Sequence, residues 1–154
     1  MNTTRRLLLK SATSAGLVAT AVAAGLLKPG QAFADWNSAG FAATKPADAL
    51  TAIGAGGAAD SKDIQVKAPD IAENGAVVPV EVVTTLANVE SIALLGEKNA
   101  TPLIAQYNLT DFDGFLSTRM KLGQTANVRA IVKAGGKFYT AAKEVKVTVG
   151  GCGG

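Results

Sequence analysis

The apolar residues from Asp60 onward recur at every second position, and this period limits the possible folds more than any other feature of the chain. Ile64, Val66 and Ala68 alternate with polar residues, and the run AVVPVEVVTTL at 76–86 is almost wholly β-branched. This alternation is typical of β-strands that bury one face. It predicts seven strands, near 64–68, 76–86, 89–95, 102–109, 115–122, 124–133 and 137–149.

Turn residues separate these seven segments, and no helical pattern lies between them. The pair Gly135-Gly136 between the last two strands favours a two-residue hairpin turn of the primed type. Short strands at regular spacing predict a mainly β fold, an immunoglobulin-like antiparallel β-sandwich. A small β-barrel is the alternative.

A helical pattern precedes the strands, between residues 36 and about 59. Thr44 is the expected N-cap, and Pro46 suits the first turn. The residues expected on the buried face of this one short helix are Ala47, Leu50 and Ile53. We therefore predict a helical segment at 35–59 and a β-sandwich domain at 60–149.

Residues 1–34 have the pattern of an export signal. A charged start is followed by an apolar, alanine-rich stretch, and Ala32-Phe33-Ala34 predicts cleavage after Ala34. Arg5 and Arg6 in TTRRLLLK resemble the twin-arginine signal, which exports folded proteins, although Leu8 stands where Phe is usual. An ordinary secretory leader that contains two arginines is the alternative. We expect a periplasmic protein exported by the twin-arginine route, without a membrane anchor.

The charges are unevenly distributed along the chain. The whole sequence has a net charge of +3, but residues 1–34 contain four basic residues and no acidic one. The remaining chain therefore has a net charge close to zero. This balance gives no reason to expect binding to nucleic acid or to a membrane surface by the mature protein.

The sequence contains no histidine and a single cysteine. The lack of histidine excludes Ser-His-Asp and Cys-His catalytic arrangements and the common zinc sites. One cysteine excludes a CxxC redox pair, covalent haem attachment and an iron–sulfur cluster held by this chain alone. Asp111 and Asp113 have the spacing of a solvated turn. We expect no catalytic residue, no metal site and no cofactor.

The single cysteine, Cys152, lies in the final segment VTVGGCGG. A lone cysteine is usually a small buried apolar residue, but its neighbours Gly150, Gly151, Gly153 and Gly154 offer no side chains to pack around the sulfur. An exposed thiol on a glycine stalk suits presentation to other proteins. We predict that residues 150–154 form a flexible carrier arm, which spans about 17 Å when fully extended.

The terminal GGCGG, the twin-arginine-like leader and the helix followed by a β domain together resemble the SoxY family. These proteins are the sulfur-carrier subunits of the bacterial thiosulfate-oxidising (Sox) multienzyme system. The resemblance covers the whole chain, but its specific part is the last five residues. It implies that Cys152 carries the sulfur substrate covalently and that the protein is a carrier and not an enzyme.

The resemblance also implies partners. A SoxZ-like subunit would form a heterodimer with this chain and be exported with it. A c-type cytochrome (SoxAX), a sulfate-releasing hydrolase (SoxB) and, where present, a sulfur dehydrogenase would make transient contacts with the carrier. From the residues themselves, the valine-rich run at 77–83 is too apolar for a solvated sheet face, and it predicts an apolar partner surface.

Two other functions compete with the carrier hypothesis. An exported structural β-sandwich could use Cys152 for an intermolecular disulfide. A cytosolic sulfur carrier of the ubiquitin-like kind would bear a thiocarboxylate on a terminal glycine, here Gly154, but the export signal argues against that chemistry.

Overall fold

The structure is a computed structural model, and it describes residues 37–148. Two short helices come first, α1 (Ser38–Ala42) and α2 (Pro46–Ala52). Nine strands follow: β1 (Ala59–Asp60), β2 (Ile64–Lys67), β3 (Ile71–Ala72), β4 (Val78–Thr84), β5 (Val89–Gly96), β6 (Leu103–Asn108), β7 (Phe115–Met120), β8 (Ala126–Ala134) and β9 (Lys137–Val147). No helix within this part of the chain is long and apolar enough to cross a membrane.

The strands form two open sheets that pack face to face. The larger sheet has the order β1-β9-β8-β5-β6, with β3 also paired to β9, and the smaller sheet has the order β2-β4-β7. Every pairing between two of the seven longer strands is antiparallel. The predicted immunoglobulin-like sandwich is confirmed, and the barrel alternative is wrong. The two-residue strands β1 and β3, which pair parallel to β9, were not predicted.

Alternate side chains of the smaller sheet fill the space between the sheets. In β4, Val78, Val80 and Val82 are fully buried, whereas Pro79 is exposed and Val83 is half-buried. The period of two thus directs every second valine into the core. The prediction that the 77–83 run leaves an apolar partner surface is therefore wrong, because only Val77, which is 54% exposed, stands well out from it.

The larger sheet is covered on both faces. Its inner face packs in the sandwich core, and its outer face contacts the helical segment in a second apolar cluster. Buried residues of that second cluster are Ala49, Ala55, Ala93, Leu95, Leu103 and Ile131. Burial on both faces explains why Ile92–Leu95 of β5 are all buried and do not alternate.

The helical segment differs from its prediction in three details. It forms two helices, and the Asn37 side chain connects them by accepting a hydrogen bond from Gly40 N (3.0 Å) and donating one to Ala52 O (3.0 Å). The N-cap of α2 is Lys45 and not Thr44. Leu50 and Ile53 pack against the sheet as expected. Ala47, however, is exposed, and Ala49 is the buried alanine of α2.

The β8–β9 hairpin has the turn that its glycines predict. Gly135 and Gly136 have φ values of 54° and 75°, the left-handed conformation that both central residues of a type I′ turn adopt. The Glu90 carboxylate of β5 holds this turn, since it accepts the Gly136 N–H at 2.7 Å and pairs with Lys133 at 2.6 Å. The hydrogen bond from Lys133, followed by that from Gly136, lowers the pKa of Glu90.

Gly114 lies in the loop between β6 and β7, directly before β7, and its backbone conformation can be tested. Its φ is +90°, and a Cβ there would lie 2.6 Å from the Thr84 carbonyl oxygen. We expect Gly114→Ala to lower the free energy of unfolding by about 2–3 kcal/mol, because alanine disfavours this conformation and would overlap the oxygen. Urea unfolding of the mature protein measures this change.

Gly57→Ala is the matched control, because Gly57 is exposed and a Cβ there would meet no atom within 4 Å. Equal midpoints for the two alanine variants would contradict the described geometry of the Gly114 turn.

Candidate functional site

The residues that sequence analysis assigned to the site and to export lie outside the described residues. They are Arg5, Arg6, Ala34, Gly150, Gly151, Cys152, Gly153 and Gly154. The structure does describe the point from which the predicted arm extends, which is the end of β9 and the residue after it, Thr148.

The end of β9 is held on both of its edges. On one edge, Lys146 N–H donates to Asp70 O at 3.0 Å and Thr148 N–H donates to Ala72 O at 3.1 Å. On the other edge, Val147 N–H donates to the Thr125 hydroxyl at 2.9 Å. The Thr148 hydroxyl also donates to Glu73 O at 3.3 Å. The chain is thus fixed to the sandwich up to Thr148.

This attachment limits where the cysteine can act. Cys152 follows Thr148 by four residues, and four extended residues span about 14 Å. Any protein that reacts with the Cys152 sulfur must therefore approach within about that distance of Thr148. The relevant surface is the end of the sandwich at which β9 finishes, which we call the arm end.

Three loops lie at the arm end: 73–77, 97–102 and 121–125. The first and third are joined by a hydrogen bond from Leu122 N–H to Gly75 O at 2.7 Å. The Asn99 side chain joins the second and third, since it donates to Lys121 O at 2.7 Å and accepts from Gly123 N–H at 2.9 Å. These loops are consequently fixed with respect to one another. Sequence analysis missed this arrangement, because contacts between residues more than 20 positions apart leave no local pattern.

The described residues offer little chemistry of their own. Within residues 37–148, no group of three or more acidic or sulfur-containing side chains could hold a metal ion. The Asp113 carboxylate accepts the N–H of Phe115 at 3.3 Å, as a turn residue does. Two of the three exposed large apolar side chains, Ile71 (57%) and Val77 (54%), lie at the arm end, just before the 73–77 loop and at its last position.

The comparison with family models decides between the candidate functions. The family described as "Sulfur oxidation protein SoxY" matches residues 50–152, a range that ends at Cys152. The chain belongs to the SoxY family. The match includes both the sandwich and the cysteine of the GGCGG segment, and the predicted family is confirmed.

Solved structures agree with this membership. The sulfur carrier protein SoxY from Chlorobium limicola f thiosulfatophilum is 39% identical to this SoxY-family chain, with a TM-score of 0.62 over 70% of this chain and 95% of that one. A superoxide reductase (neelaredoxin) from Ignicoccus hospitalis is 18% identical, with a TM-score of 0.47 over 55% of this chain and 79% of that one. The second likeness is too slight to bear on function. No curated protein sequence matches significantly.

Membership of the SoxY family places this chain among sulfur carrier proteins. It argues against the structural cross-linking protein and against the ubiquitin-like carrier. The roles of Cys152 and its neighbouring glycines stay predictions.

The attachment at Thr125 can be tested directly. We expect Thr125→Val to remove the acceptor of the Val147 N–H, at a cost of about 1 kcal/mol. The Val147 amide should then exchange about fivefold faster with solvent, while the amide of Val145, whose side chain is fully buried, stays protected. Hydrogen exchange followed by NMR measures both amides.

Thr110→Val is the control, because Thr110 is an exposed loop residue at the opposite end of the sandwich. If the two valine variants exchange alike at Val147, the Thr125 hydroxyl does not hold the end of β9.

Proposed function

We propose that this SoxY-family protein is a periplasmic carrier that binds thiosulfate-derived sulfur covalently through the Cys152 thiol and presents it to partner enzymes. The observation that carries the proposal is the family match, which extends to Cys152. The firm attachment of β9 supports it, because a reactive group on a short segment beyond Thr148 stays near a defined surface.

Attachment of the substrate is an oxidation. The Cys152 thiol (RSH) and thiosulfate give RS–S–SO₃⁻ with release of one proton and two electrons. A new S–S bond forms, and a c-type haem cytochrome accepts the electrons. A free thiol of ordinary pKa, near 8.5, is only a few per cent thiolate at neutral pH, so the cytochrome's own site must activate the sulfur.

Release of sulfate is a hydrolysis. Water attacks the terminal sulfone group, and RS–S–SO₃⁻ gives RS–S⁻, sulfate and two protons. A sulfur dehydrogenase, in hosts that have one, would oxidise the remaining sulfane sulfur with three water molecules, releasing six protons and six electrons. A second hydrolysis then frees the thiol. Covalent attachment keeps each intermediate bound to the carrier between enzymes and raises its effective concentration there.

The proposal includes a partner subunit and a route of export. A leaderless SoxZ-like subunit forms a heterodimer with this chain, and the twin-arginine segment at Arg5 and Arg6 exports the folded pair. Family membership and the leader pattern support the partner and the export route. The valine run at 77–83 does not support them, because its side chains are largely buried.

Replacement of the cysteine tests carriage. Cys152→Ser should abolish thiosulfate-dependent sulfate release, because a hydroxyl cannot form the S–S bond to the substrate. Folding should be unchanged. The measurement is cytochrome reduction and sulfate release in an assay reconstituted from purified partner proteins.

The double variant Gly57→Cys, Cys152→Ser is the matched control, because it moves the one thiol of the chain from the arm to an exposed position in the turn between α2 and β1. It should be as inactive as Cys152→Ser. Substantial turnover by Cys152→Ser would exclude covalent carriage, and full turnover by the double variant would exclude a special role for the arm.

A second experiment tests export and partnership together. Arg5→Lys combined with Arg6→Lys should leave this chain uncleaved in the cytoplasm. The SoxZ-like subunit, which has no leader of its own, should disappear from the periplasm with it. Immunoblots of fractionated cells follow both proteins, and an unchanged periplasmic level of the partner would contradict joint export.

A further inference from the structure

The charges of the described residues are separated along the sandwich. The basic residues at the arm end are Lys98, Arg119, Lys121, Arg129, Lys143 and Lys146, and the acidic ones are Asp70, Glu73, Glu97 and Glu144. At the opposite end the basic residues are Lys62, Lys133 and Lys137, and the acidic ones are Asp60, Asp63, Glu90, Asp111 and Asp113. The arm end is thus net positive and the opposite end net negative.

Ion pairs neutralise only part of the positive charge at the arm end. Arg129 pairs with Glu97 at 2.6 Å and Lys143 with Asp70 at 2.9 Å. Within residues 37–148, no acidic side chain forms an ion pair with Lys98 or Lys121, and both lysines are exposed. Their charges therefore remain available to a partner.

Lys98 and Lys121 line one cavity of about 570 Å³. Ala100 and Ile104 contribute apolar surface to it, and Asn99 and Gly123 form part of its wall. The hydrogen bonds of the Asn99 side chain to Lys121 O and Gly123 N–H hold the two lining loops together. We call this feature the Lys98–Lys121 cavity.

The cavity lies beside the residues that attach β9. Its lining residues Lys121, Gly123 and Gln124 belong to the same loop as Thr125, whose hydroxyl accepts the Val147 N–H. An enzyme that reaches a sulfur within about 14 Å of Thr148 must cover this end of the sandwich. The cavity is therefore part of the surface that such an enzyme meets.

We propose that the Lys98–Lys121 cavity is the docking point for an acidic surface of the enzymes that process sulfur bound to Cys152. This inference rests on the proposed carrier function. Carboxylate side chains of the enzyme pair with the two lysines. The aliphatic parts of those enzyme side chains contact Ala100 and Ile104. The opposite charges of the two ends also orient the carrier during approach, so that the arm end meets an acidic enzyme surface first.

A protein surface fits the cavity better than free thiosulfate does. The volume is many times that of one small anion, and part of the lining is apolar. The two lysines are exposed, so they would bind a small hydrated anion weakly. Charge spread over one whole end acts on a large partner at a distance, and salt screens this attraction within about 10 Å at 0.1 M ionic strength.

Charge reversal at the two ends tests the proposal. The test variant combines Lys98→Glu with Lys121→Glu, and the matched control combines Lys62→Glu with Lys137→Glu. Both change the net charge equally, and all four side chains are exposed. The probe is the purified sulfate-releasing hydrolase acting on carrier, with its SoxZ-like partner, that has already been loaded with thiosulfate.

At low salt we expect kcat/KM for the Lys98→Glu, Lys121→Glu carrier to fall at least about tenfold, mainly through KM, and the control to stay within about twofold. High salt should narrow the difference. The double variant Lys98→Arg, Lys121→Arg keeps both positive charges and should have the wild-type kcat/KM. The rate of Cys152 alkylation by iodoacetamide should be equal in all variants, because the arm itself is unchanged.

Two results would overturn the docking proposal. The two charge reversals could reduce kcat/KM equally, or the Lys98→Glu, Lys121→Glu carrier could behave as wild type. A failure of the proposed carrier function would give another result, because the hydrolase would then release no sulfate even from the wild-type protein.

Discussion

Strand β9 pairs on both of its edges and thereby holds the C-terminal end of the described chain against the sandwich. This eleven-residue strand pairs with β8 from Lys137 to Val145. Its other edge pairs with β1 near its start and with β3 near its end. Val145 is fully buried in the sandwich core, three residues before Thr148. The strand therefore connects the buried core of the sandwich directly to the segment that contains Cys152.

This arrangement separates the stability of the fold from the chemistry of the carrier. The core between the sheets and the cluster beneath the helices consist almost entirely of aliphatic side chains. The proposed carrier function needs a rigid body that partners can recognise and a reactive group that they can reach. The end of β9 lies between the sandwich core and the segment that contains Cys152.

Much of the fold could be predicted because strands and turns leave patterns in consecutive residues of the sequence. A period of two identified the seven longer strands to within a few residues, and Gly135-Gly136 identified the hairpin. The short strands β1 and β3 were missed, since two residues contain no period. The valine run of β4 was misinterpreted because its hydrophobicity was considered without its alternation, which directs Val78, Val80 and Val82 inward.

One part of the candidate site could be predicted from neighbouring residues in the sequence, and the other part depends on contacts between distant residues. Cys152 and its glycines form a local motif, and the family match extends over it. The surface around Thr148 depends on contacts such as Asn99 with Lys121, which are 22 residues apart, and on the neighbouring placement of two exposed lysines. Only the pairing of the strands brings these residues to one end of the sandwich.

Mass spectrometry of the protein from thiosulfate-grown cells tests the central claim, covalent carriage on Cys152, most directly. The protein is alkylated at lysis and digested, and the peptide that contains Cys152 is sequenced. We expect this peptide to carry thiosulfonate, sulfonate or polysulfur groups on the cysteine sulfur, and we expect these groups to be absent from cells grown without reduced sulfur. A Cys152 that is found only as the alkylated thiol, or only in a disulfide between chains, under both conditions would contradict it.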